Sequence, residues 1–378
     1  MRILYFSRTY TVHDRRFLTA LAESEHEMFF LRLENDPVVG DTGPLSPRVT
    51  EVYWDDHEDS FSVEGRIRLV PALERILRKV SPDLVHAGPV PTCGFMAALT
   101  DFRPLMVMSW GSDLLVQADS SPVWNWMTRY ALKHSDMLAA DCTTVSAKAR
   151  QLVDYPAERI VQFPWGVNLD VFSTGPANPD LRQLPGWNNS FIILSTRSWE
   201  PNYGTMWLLE AFRAAHNINS KLRLALLGDG SLRGQVVDFV RQNDLSGEIH
   251  MPGQLTGDLL AGYFRSADLF VNSSYSDGTS ISLLEAMATE LPVIVTDNSS
   301  NREWINGTTG GLLAKFGEID ALRDALLHIA AMTPQQRRSW GDHNRKIVEQ
   351  RGDWKKNFSL LLKAYASIGS AYRVGKQT

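Results

Sequence analysis

The chain has 378 residues, of which 44% are hydrophobic and 21% are charged, and at roughly 100 to 200 residues per domain this length predicts two domains. The formal net charge of −5 excludes the basic field that a nucleic-acid surface needs, so we expect no nucleic-acid partner. Two cysteines are too few for a disulfide framework, and no apolar run approaches the roughly 18 residues of a membrane span, so we expect a cytoplasmic protein without a signal peptide or a span.

Short apolar runs alternate with segments of helical periodicity along both halves of the chain. In the first half these runs predict buried parallel strands at residues 3–6, 28–33, 84–86, 105–108 and 137–139. In the second half they predict strands at residues 191–194, 222–227, 269–272 and 293–295. Strands that alternate with helices indicate an α/β fold with two doubly wound, Rossmann-like sheets.

A stretch rich in Pro, Gly and Asn at residues 173–190 has no apolar period and predicts a linker between the halves. An amphipathic helix is predicted near the end of the chain, from Trp354 to Tyr365. We therefore place a first domain at residues 1–172, a second domain at 173–353 and a terminal helix within 354–378.

Polar residues follow or lie in three predicted strands of the first half. His13 and Asp14 follow the first strand, where a solvated helix start explains them equally well. His86 stands near a strand end and is either a catalytic residue or a hydrogen-bonded core histidine. Trp110 and Asp113 belong to a Ser-Trp-Gly-Ser-Asp segment that follows the next strand.

Two further features of the first half have a structural explanation as well as a functional one. The aromatic residues at 124–130 favour core packing over a membrane-facing stripe, which leaves peripheral membrane contact open. The acidic run at 51–59, with His57, favours a solvated loop over a metal site. Because no Asp-x-Asp motif follows a strand, we expect no metal.

In the second half, Arg197 closes the first predicted strand. Ligands of such folds bind at the carboxyl ends of strands, and the guanidinium group of Arg197 could bind a diphosphate there, or form a structural ion pair. Gly228 follows the next strand, and Met251 and Pro252 lie in a similar turn. For residues 228–230, a plain connecting turn is as good an explanation as a ligand-binding loop.

The most informative stretch places two carboxylates, Asp277 and Glu285, around a predicted helix start. Between them, Gly278, Thr279, Ser280, Ile281 and Ser282 supply the backbone N–H groups of a helix N-terminus, which attract a phosphate. Glu285 lies in an otherwise apolar turn, where a buried carboxylate needs hydrogen-bond donors such as hydroxyl groups. A surface helix with a solvated Glu285 is the alternative.

The spacing of Asp277 and Glu285 resembles the signature of the retaining glycosyltransferases of family four, in which an acidic residue precedes a glutamate by the same interval. Aspartate here replaces the usual glutamate at the first position. The resemblance implies that Glu285 binds the ribose hydroxyls of a nucleotide and that Asp277 lies beside the donor sugar. Arg197 and Tyr203 correspond to the arginine and lysine of the donor motif, and Trp110 replaces a histidine of the family.

The resemblance implies a GT-B fold, in which two Rossmann-like domains face a cleft and the terminal helix crosses back to the first domain. It implies transfer of a sugar from a nucleoside-diphosphate sugar, with UDP-sugars favoured, to a hydroxyl group of a glycan or glycolipid. The donor binds the second domain and the acceptor the first. We expect no metal and no cofactor besides the co-substrate, in a monomer or dimer. A nucleotide-sugar-binding protein without transfer activity and a nucleotide-sugar epimerase are the alternatives.

The resemblance and the residue patterns together assign three sets of candidate residues. The catalytic candidates are Asp277, Asp113, His86 and Arg197. The donor-binding candidates are Arg197, Tyr203, Gly228, Met251, Pro252, Gly278, Thr279, Ser280, Ile281, Ser282 and Glu285. The acceptor-side candidates are His13, Asp14 and Trp110.

Overall fold

The computed structural model describes residues 1–34, 43–54, 62–177 and 179–375, with side chains to residue 370. The chain forms two compact units, one of residues 1–163 and 359–378 and the other of residues 164–358. This division falls earlier than the sequence-based boundary after residue 172. Val167 and Phe172 already pack in the core of the second unit, and the Val167 N–H donates to the carbonyl of Gly352 at 2.7 Å.

The described residues of the first unit form a seven-stranded parallel sheet with the order β3-β2-β1-β4-β5-β6-β7. Its strands are β1 (Arg2–Ser7), β2 (Glu27–Arg32), β3 (Val49–Val52), β4 (Leu84–Gly88), β5 (Leu105–Met108), β6 (Met137–Ala140) and β7 (Ile160–Gln162). Its helices are α1 (Val12–Ala22), α2 (Val63–Val80), α3 (Phe95–Leu99), α4 (Ser112–Leu115), α5 (Pro122–Lys133) and α6 (Thr143–Val153).

The second unit contains, in its described part, a six-stranded parallel sheet with the order β10-β9-β8-β11-β12-β13. Its strands are β8 (Phe191–Ser195), β9 (Leu222–Leu226), β10 (Ile249–His250), β11 (Leu269–Asn272), β12 (Val293–Thr296) and β13 (Gly311–Ala314). Its helices are α7 (Thr205–Ile218), α8 (Arg233–Gln242), α9 (Gly257–Ser266), α10 (Ile281–Ala288), α11 (Ser299–Arg302), α12 (Ile319–Ala331) and α13 (Pro334–Arg351). The last helix, α14 (Trp354–Gly375), begins in the second unit and ends in the first.

The central strands are continuous apolar runs because helices cover both faces of each sheet. In β8 all five residues are buried, and the two faces of the second sheet carry separate hydrophobic cores. The two-sheet α/β class predicted from the alternating runs is therefore confirmed. None of the helices in the described ranges combines the length and the apolar character needed to cross a membrane.

Each sheet has one position where the direction of strand order reverses. In the first sheet it lies between β1 and β4, and in the second between β8 and β11. The loops that leave the carboxyl ends of two such neighbouring strands diverge to opposite faces of the sheet, which opens a crevice for a ligand. The two reversal points therefore locate the regions in which polar side chains are functional candidates.

Candidate active site

Three predicted donor-site residues meet at the reversal point of the second sheet. Arg197 follows β8, and Asp277 lies in the loop that leaves β11. Arg197 Nη2 lies 2.7 Å from Asp277 Oδ2, and each side chain is 16% exposed. The guanidinium carbon of Arg197 lies 4.2 Å from the ring centre of Tyr203, a cation–π contact. Arg197 therefore forms an ion pair, which was the structural alternative to diphosphate binding, and its partner Asp277 is the residue that the family resemblance places beside the donor sugar.

The carboxylate of Asp277 is held in a largely dry environment. Burial raises the pKa of Asp277, while the charge of Arg197 and the backbone N–H of Gly278 act to lower it. Burial thus opposes the ionised form more strongly than its partners support it. A group with this balance binds a further hydrogen-bond donor readily, because that donor stabilises the charge.

Backbone contacts fix the loop that carries Tyr203 to the loop that carries Asp277. Ser273 Oγ donates to the Tyr203 carbonyl at 2.8 Å, and Asn202 Nδ2 donates to the Ser276 carbonyl at 3.0 Å. Gly204 has a φ of +63°, and a Cβ atom there would stand 2.3 Å from the Ser273 carbonyl oxygen. Glycine is thus required for the close approach of the two loops, which places the Tyr203 ring against Arg197.

Three buried polar atoms at this edge have no hydrogen-bond partner among the residues that the structure describes. They are Arg197 Nε, Thr196 Oγ1 and Asn272 Nδ2. Buried polar groups are nearly always paired in folded proteins, so a cluster of unpaired ones at a strand edge indicates a polar ligand. Sequence reasoning missed Thr196 and Asn272, although both stand at or just after the end of a predicted strand.

The loops after β9 and β10 adjoin the same edge. Gly228 has a φ of +113°, and a Cβ atom there would lie 2.4 Å from the Arg197 carbonyl oxygen. The Gly228 N–H donates to the Gly253 carbonyl at 2.9 Å, which joins this turn to the half-buried Met251 and Pro252. The structure thus brings Gly228 beside Arg197.

Helix α10 begins at Ile281, four residues after Asp277, as predicted. Ser280 is its N-cap residue, and the Ser280 hydroxyl accepts from the Leu283 N–H at 3.4 Å and lies 3.1 Å from the Ser282 hydroxyl. Gly278, Thr279, Ser280 and Ser282 are buried, whereas Ile281 and Glu285 are half-buried. Glu285 lies one helical turn beyond Ile281, on an otherwise apolar helix.

In the first unit, Asp113 holds two loops together. Asp113 Oδ2 accepts from the Val90 N–H at 2.9 Å, and Oδ1 accepts from Ser109 Oγ at 2.6 Å and from the Trp110 N–H at 3.0 Å. Burial raises the pKa of this carboxyl group. Both oxygens are occupied by protein donors, so the structure places Asp113 as a residue that positions Trp110.

Asp14 caps helix α1 from inside the unit. Asp14 Oδ2 accepts from the Thr11 N–H at 2.9 Å, Tyr5 donates its hydroxyl to Oδ1 at 3.2 Å, and Asp14 is 1% exposed. Burial raises its pKa. This arrangement corresponds to the helix-start alternative for Asp14. The neighbouring His13 is exposed, and its ring centre lies 5.8 Å from that of the half-buried Trp110.

His86 lies within β4 and inside the core, not at the strand end. Its Nδ1 atom forms a hydrogen bond with the hydroxyl of Tyr365 on α14, and its ring packs 5.1 Å from that of Tyr5. Burial lowers the pKa of His86 to about 3. A buried, neutral histidine paired with a buried tyrosine corresponds to the core role that the sequence left open.

Other features of the first unit are placed as follows. Among residues 124–130, Met127 is fully buried while Trp126 is 48% exposed. The described residues contain no cluster of three or more His, Cys, Asp or Glu side chains suited to a metal ion. His57 and most of the acidic run at 51–59 lie outside the described residues.

Comparison with solved structures identifies the class of protein that this fold defines. Sucrose-phosphate synthase from Thermosynechococcus elongatus has a TM-score of 0.82 at 18% identity, covering 98% of this chain and 100% of that chain. Anabaena HepE in complex with UDP-glucose has a TM-score of 0.79 at 16% identity, covering 98% and 100%. These similarities show the GT-B fold.

Family models and curated relatives give the family. A glycosyl transferase 4-like domain model matches residues 9–166, and a model of glycosyl transferases group 1 matches residues 190–332. The chain belongs to the group 1 glycosyltransferases. An uncharacterised glycosyltransferase of Methanocaldococcus jannaschii is 25% identical, covering 78% of each chain. The UDP-Gal:α-D-GlcNAc-diphosphoundecaprenol α-1,3-galactosyltransferase of Escherichia coli is 23% identical, covering 76% of this chain and 78% of the relative.

Proposed function

We propose that this glycosyltransferase is a retaining enzyme that transfers a sugar from a UDP-sugar to a hydroxyl group of a glycan or glycolipid. The observation that carries the proposal is the Arg197–Asp277 pair at the reversal point of the second sheet, with an unpaired Nε atom on Arg197. A cation and an anion side by side suit a ligand with a charged diphosphate next to a sugar rich in hydroxyl groups.

Arg197 binds the donor diphosphate in this proposal. Its Nη2 atom faces Asp277, whereas its Nε atom is buried and unpaired, so the guanidinium group can bind a phosphate oxygen without leaving Asp277. The Tyr203 ring holds the guanidinium plane in place. A fixed cation beside the leaving diphosphate stabilises the charge that develops as the sugar–phosphate bond breaks.

Asp277 and Glu285 bind the two ends of the donor that carry hydroxyl groups. The Asp277 carboxylate has acceptor sites beyond its ion pair with Arg197 and accepts a hydroxyl of the sugar, and Glu285 accepts the ribose hydroxyls. The unpaired Thr196 Oγ1 and Asn272 Nδ2 lie at the same strand edges and add contacts to the donor. Together these groups orient the donor, and positioning of the reactants supplies a large share of the catalysis.

Relatives support the choice of donor and acceptor. HepE has been crystallised with UDP-glucose, and the Escherichia coli relative is named for a UDP-galactose donor and a diphosphate-linked lipid acceptor. We propose an acceptor of the same kind, a glycolipid that carries phosphate, bound by the first unit near Trp110 and His13. The exposed Trp126 supports peripheral membrane contact of a cytoplasmic enzyme.

A panel of nucleotide sugars tests the donor. Thermal shift with UDP-, GDP- and ADP-sugars should show the largest stabilisation with a UDP-sugar, since a ligand at a hundred times its Kd adds about 2.7 kcal/mol. Donor hydrolysis or transfer then separates an enzyme from a protein that only binds nucleotide sugars. Product analysis separates transfer from epimerisation.

Two further measurements test the mechanism. Proton NMR of the first-formed product should show the donor's anomeric configuration, whereas the opposite anomer would contradict retention. EDTA should leave the rate unchanged. A rate that collapses in EDTA and returns with manganese would contradict metal-independent transfer.

A further inference from the structure

A buried arginine in the first unit lacks the hydrogen bonds that such a group normally has. Arg66, in the first turn of α2, is 3% exposed, and its Nε and Nη1 atoms have no hydrogen-bond partner in the described part of the chain. Its guanidinium carbon lies 5.3 Å from the ring centre of Trp124. A buried guanidinium group that lacks hydrogen bonds is costly, so the two N–H groups without a partner in the described residues indicate an anion as their ligand.

The charges that the described residues place around Arg66 do not balance. Glu34 is 1% exposed, and its Oε1 atom lies 3.9 Å from Arg66 Nη2, too far for a hydrogen bond. The other oxygen of Glu34 is taken by Arg8, whose Nε atom lies 2.7 Å from Oε2. One carboxylate thus faces two guanidinium groups. Burial raises the pKa of the nearby Cys93 thiol, which is therefore neutral and supplies no second anion.

The cluster of Arg8, Glu34 and Arg66 lies at the reversal point of the first sheet. Arg8 follows β1 and Glu34 follows β2, and the Glu34 N–H donates to the Arg8 carbonyl at 2.8 Å. Cys93, a near neighbour of Arg66, lies in the turn after β4. The side chain of Arg8 is 46% exposed, so the cluster opens to solvent on that side. The position is the ligand-binding edge of the sheet.

We propose that Arg66 and Arg8 bind a phosphate group of the acceptor, a proposal that rests on the glycosyl transfer proposed above. A tetrahedral phosphate presents oxygens in several directions and can accept from both arginines, whereas a carboxylate presents two oxygens in one plane. Binding one negative charge brings the cluster to neutrality. The acceptor phosphate belongs either to a lipid headgroup or to a soluble phosphate ester.

Phosphate titration of the protein saturated with UDP tests the site, because UDP occupies the donor site. Wild-type protein should bind inorganic phosphate, and Arg66→Gln should weaken binding by about tenfold or more, as expected for lost hydrogen bonds between charged groups. Arg8→Gln should weaken it less. Glu34→Gln should tighten it, because the substitution removes the anion that competes with phosphate for both arginines. Arg32→Gln is the matched control, since Arg32 pairs with Glu51 at 2.5 Å at the end of a neighbouring strand.

The variants also separate ligand binding from a purely structural role. A structural cluster predicts lower melting temperatures for the variants and equal phosphate affinity in Glu34→Gln and wild type, which would overturn the proposal. If Arg66→Gln does not fold, the test uses two other variants. Arg8→Gln, at a half-exposed residue, should lower the phosphate affinity, and Glu34→Gln should raise it. Phosphate binding that is equally tight in Arg8→Gln and wild type would likewise overturn it.

Vesicles distinguish the two sources of phosphate. Binding of wild type, but not of Arg66→Gln or Arg8→Gln, to phosphatidylglycerol vesicles supports a lipid headgroup. Binding of inorganic phosphate without vesicle binding supports a soluble phosphate ester, and binding in neither assay refutes the proposal. UDP affinity and donor hydrolysis are measured on the same samples. Loss of those signals contradicts the glycosyl transfer itself, whereas normal UDP binding without phosphate binding contradicts the acceptor site alone.

Discussion

Replacing Arg197 by Gln separates its two roles, as a partner of Asp277 and as a ligand of the donor diphosphate. Glutamine keeps part of the side-chain volume and a hydrogen-bond donor but removes the charge. In the wild type the charged atoms lie 2.7 Å apart, and each side chain is 16% exposed. The substitution leaves the Asp277 carboxylate without its cation in a site where burial already raises its pKa.

Two free-energy changes follow from this geometry. Removing one partner of a fully buried pair costs about 3 to 5 kcal/mol of folding stability, and partial exposure of both side chains and protonation of Asp277 reduce this to about 1 to 3 kcal/mol. Losing a charged hydrogen bond to the diphosphate weakens UDP binding by about 1.5 to 3 kcal/mol, or about 10- to 150-fold in Kd.

Calorimetric titration with UDP and denaturant unfolding measure the two changes, and a second ion pair provides the control. Arg182 Nη2 lies 2.8 Å from Asp268 Oδ2, and Asp268 precedes β11, whereas Asp277 follows it. Arg182→Gln should therefore lower stability without changing UDP affinity. The double variant Arg197→Gln with Asp277→Asn should regain part of the stability and none of the affinity.

The reasoning fails if Arg197→Gln loses stability and binds UDP as tightly as the wild type. In that case Arg197 has only its structural role, and the donor diphosphate binds elsewhere. Equal losses of UDP affinity in Arg197→Gln and Arg182→Gln would also refute it, because they would show a general effect of destabilisation.

Three further substitutions test other parts of the site. Glu285→Gln should weaken UDP binding by about 1.5 to 3 kcal/mol per charged hydrogen bond lost, while the melting temperature without ligand barely changes. A lower melting temperature with normal UDP affinity, measured by titration, would instead assign Glu285 a structural role. Asp277→Asn should leave UDP affinity nearly unchanged and reduce turnover strongly. The folded-state pKa of Asp277 is raised, so the folded chain takes up a proton more readily than the unfolded chain. The wild type should therefore gain stability relative to Asp277→Asn as the pH falls through that pKa towards 3.8. A difference in unfolding free energy between the two proteins that stays constant across this pH range would contradict the assignment. Gly228→Ala should lower the free energy of unfolding by more than about 1 kcal/mol and weaken UDP binding, because a methyl group would press on the Arg197 carbonyl. Gly234→Ala in α8 is the control, since no atom lies within 4 Å of the added Cβ. In the same assays it should be neutral or stabilising by up to about 1 kcal/mol.

The sequence was sufficient for features that depend on neighbouring residues. Alternating apolar runs predicted the strands at the centres of both sheets, because a strand buried on both faces must be apolar throughout. The sequence also predicted the helix start at Ser280, because a capping hydroxyl accepts from N–H groups within the first turn of the helix. The edge strands β3, β7, β10 and β13 were missed, because a strand of two to four residues is too short to show a clear pattern.

Family resemblance predicted the residues of the donor site but not how they contact one another. The pairing of Arg197 with Asp277 depends on β8 and β11 becoming neighbours at the point where strand order reverses. The sequence also did not predict the unpaired atoms of Thr196 and Asn272. A polar atom lacks a hydrogen-bond partner only when it is buried away from water, and burial depends on the tertiary structure.

The first unit shows the same division between local and tertiary information. From the sequence, Asp113 and His86 were catalytic candidates because each stands near a strand end. The structure gives Asp113 three protein donors and buries His86 against Tyr365, and it gathers Arg8, Glu34 and Arg66 into one cluster. The sequence by itself determined the type of sheet and the polar residues at its edges. Tertiary structure alone decided which of those polar groups pair with one another and which stay unpaired, because that depends on residues distant in sequence meeting in space.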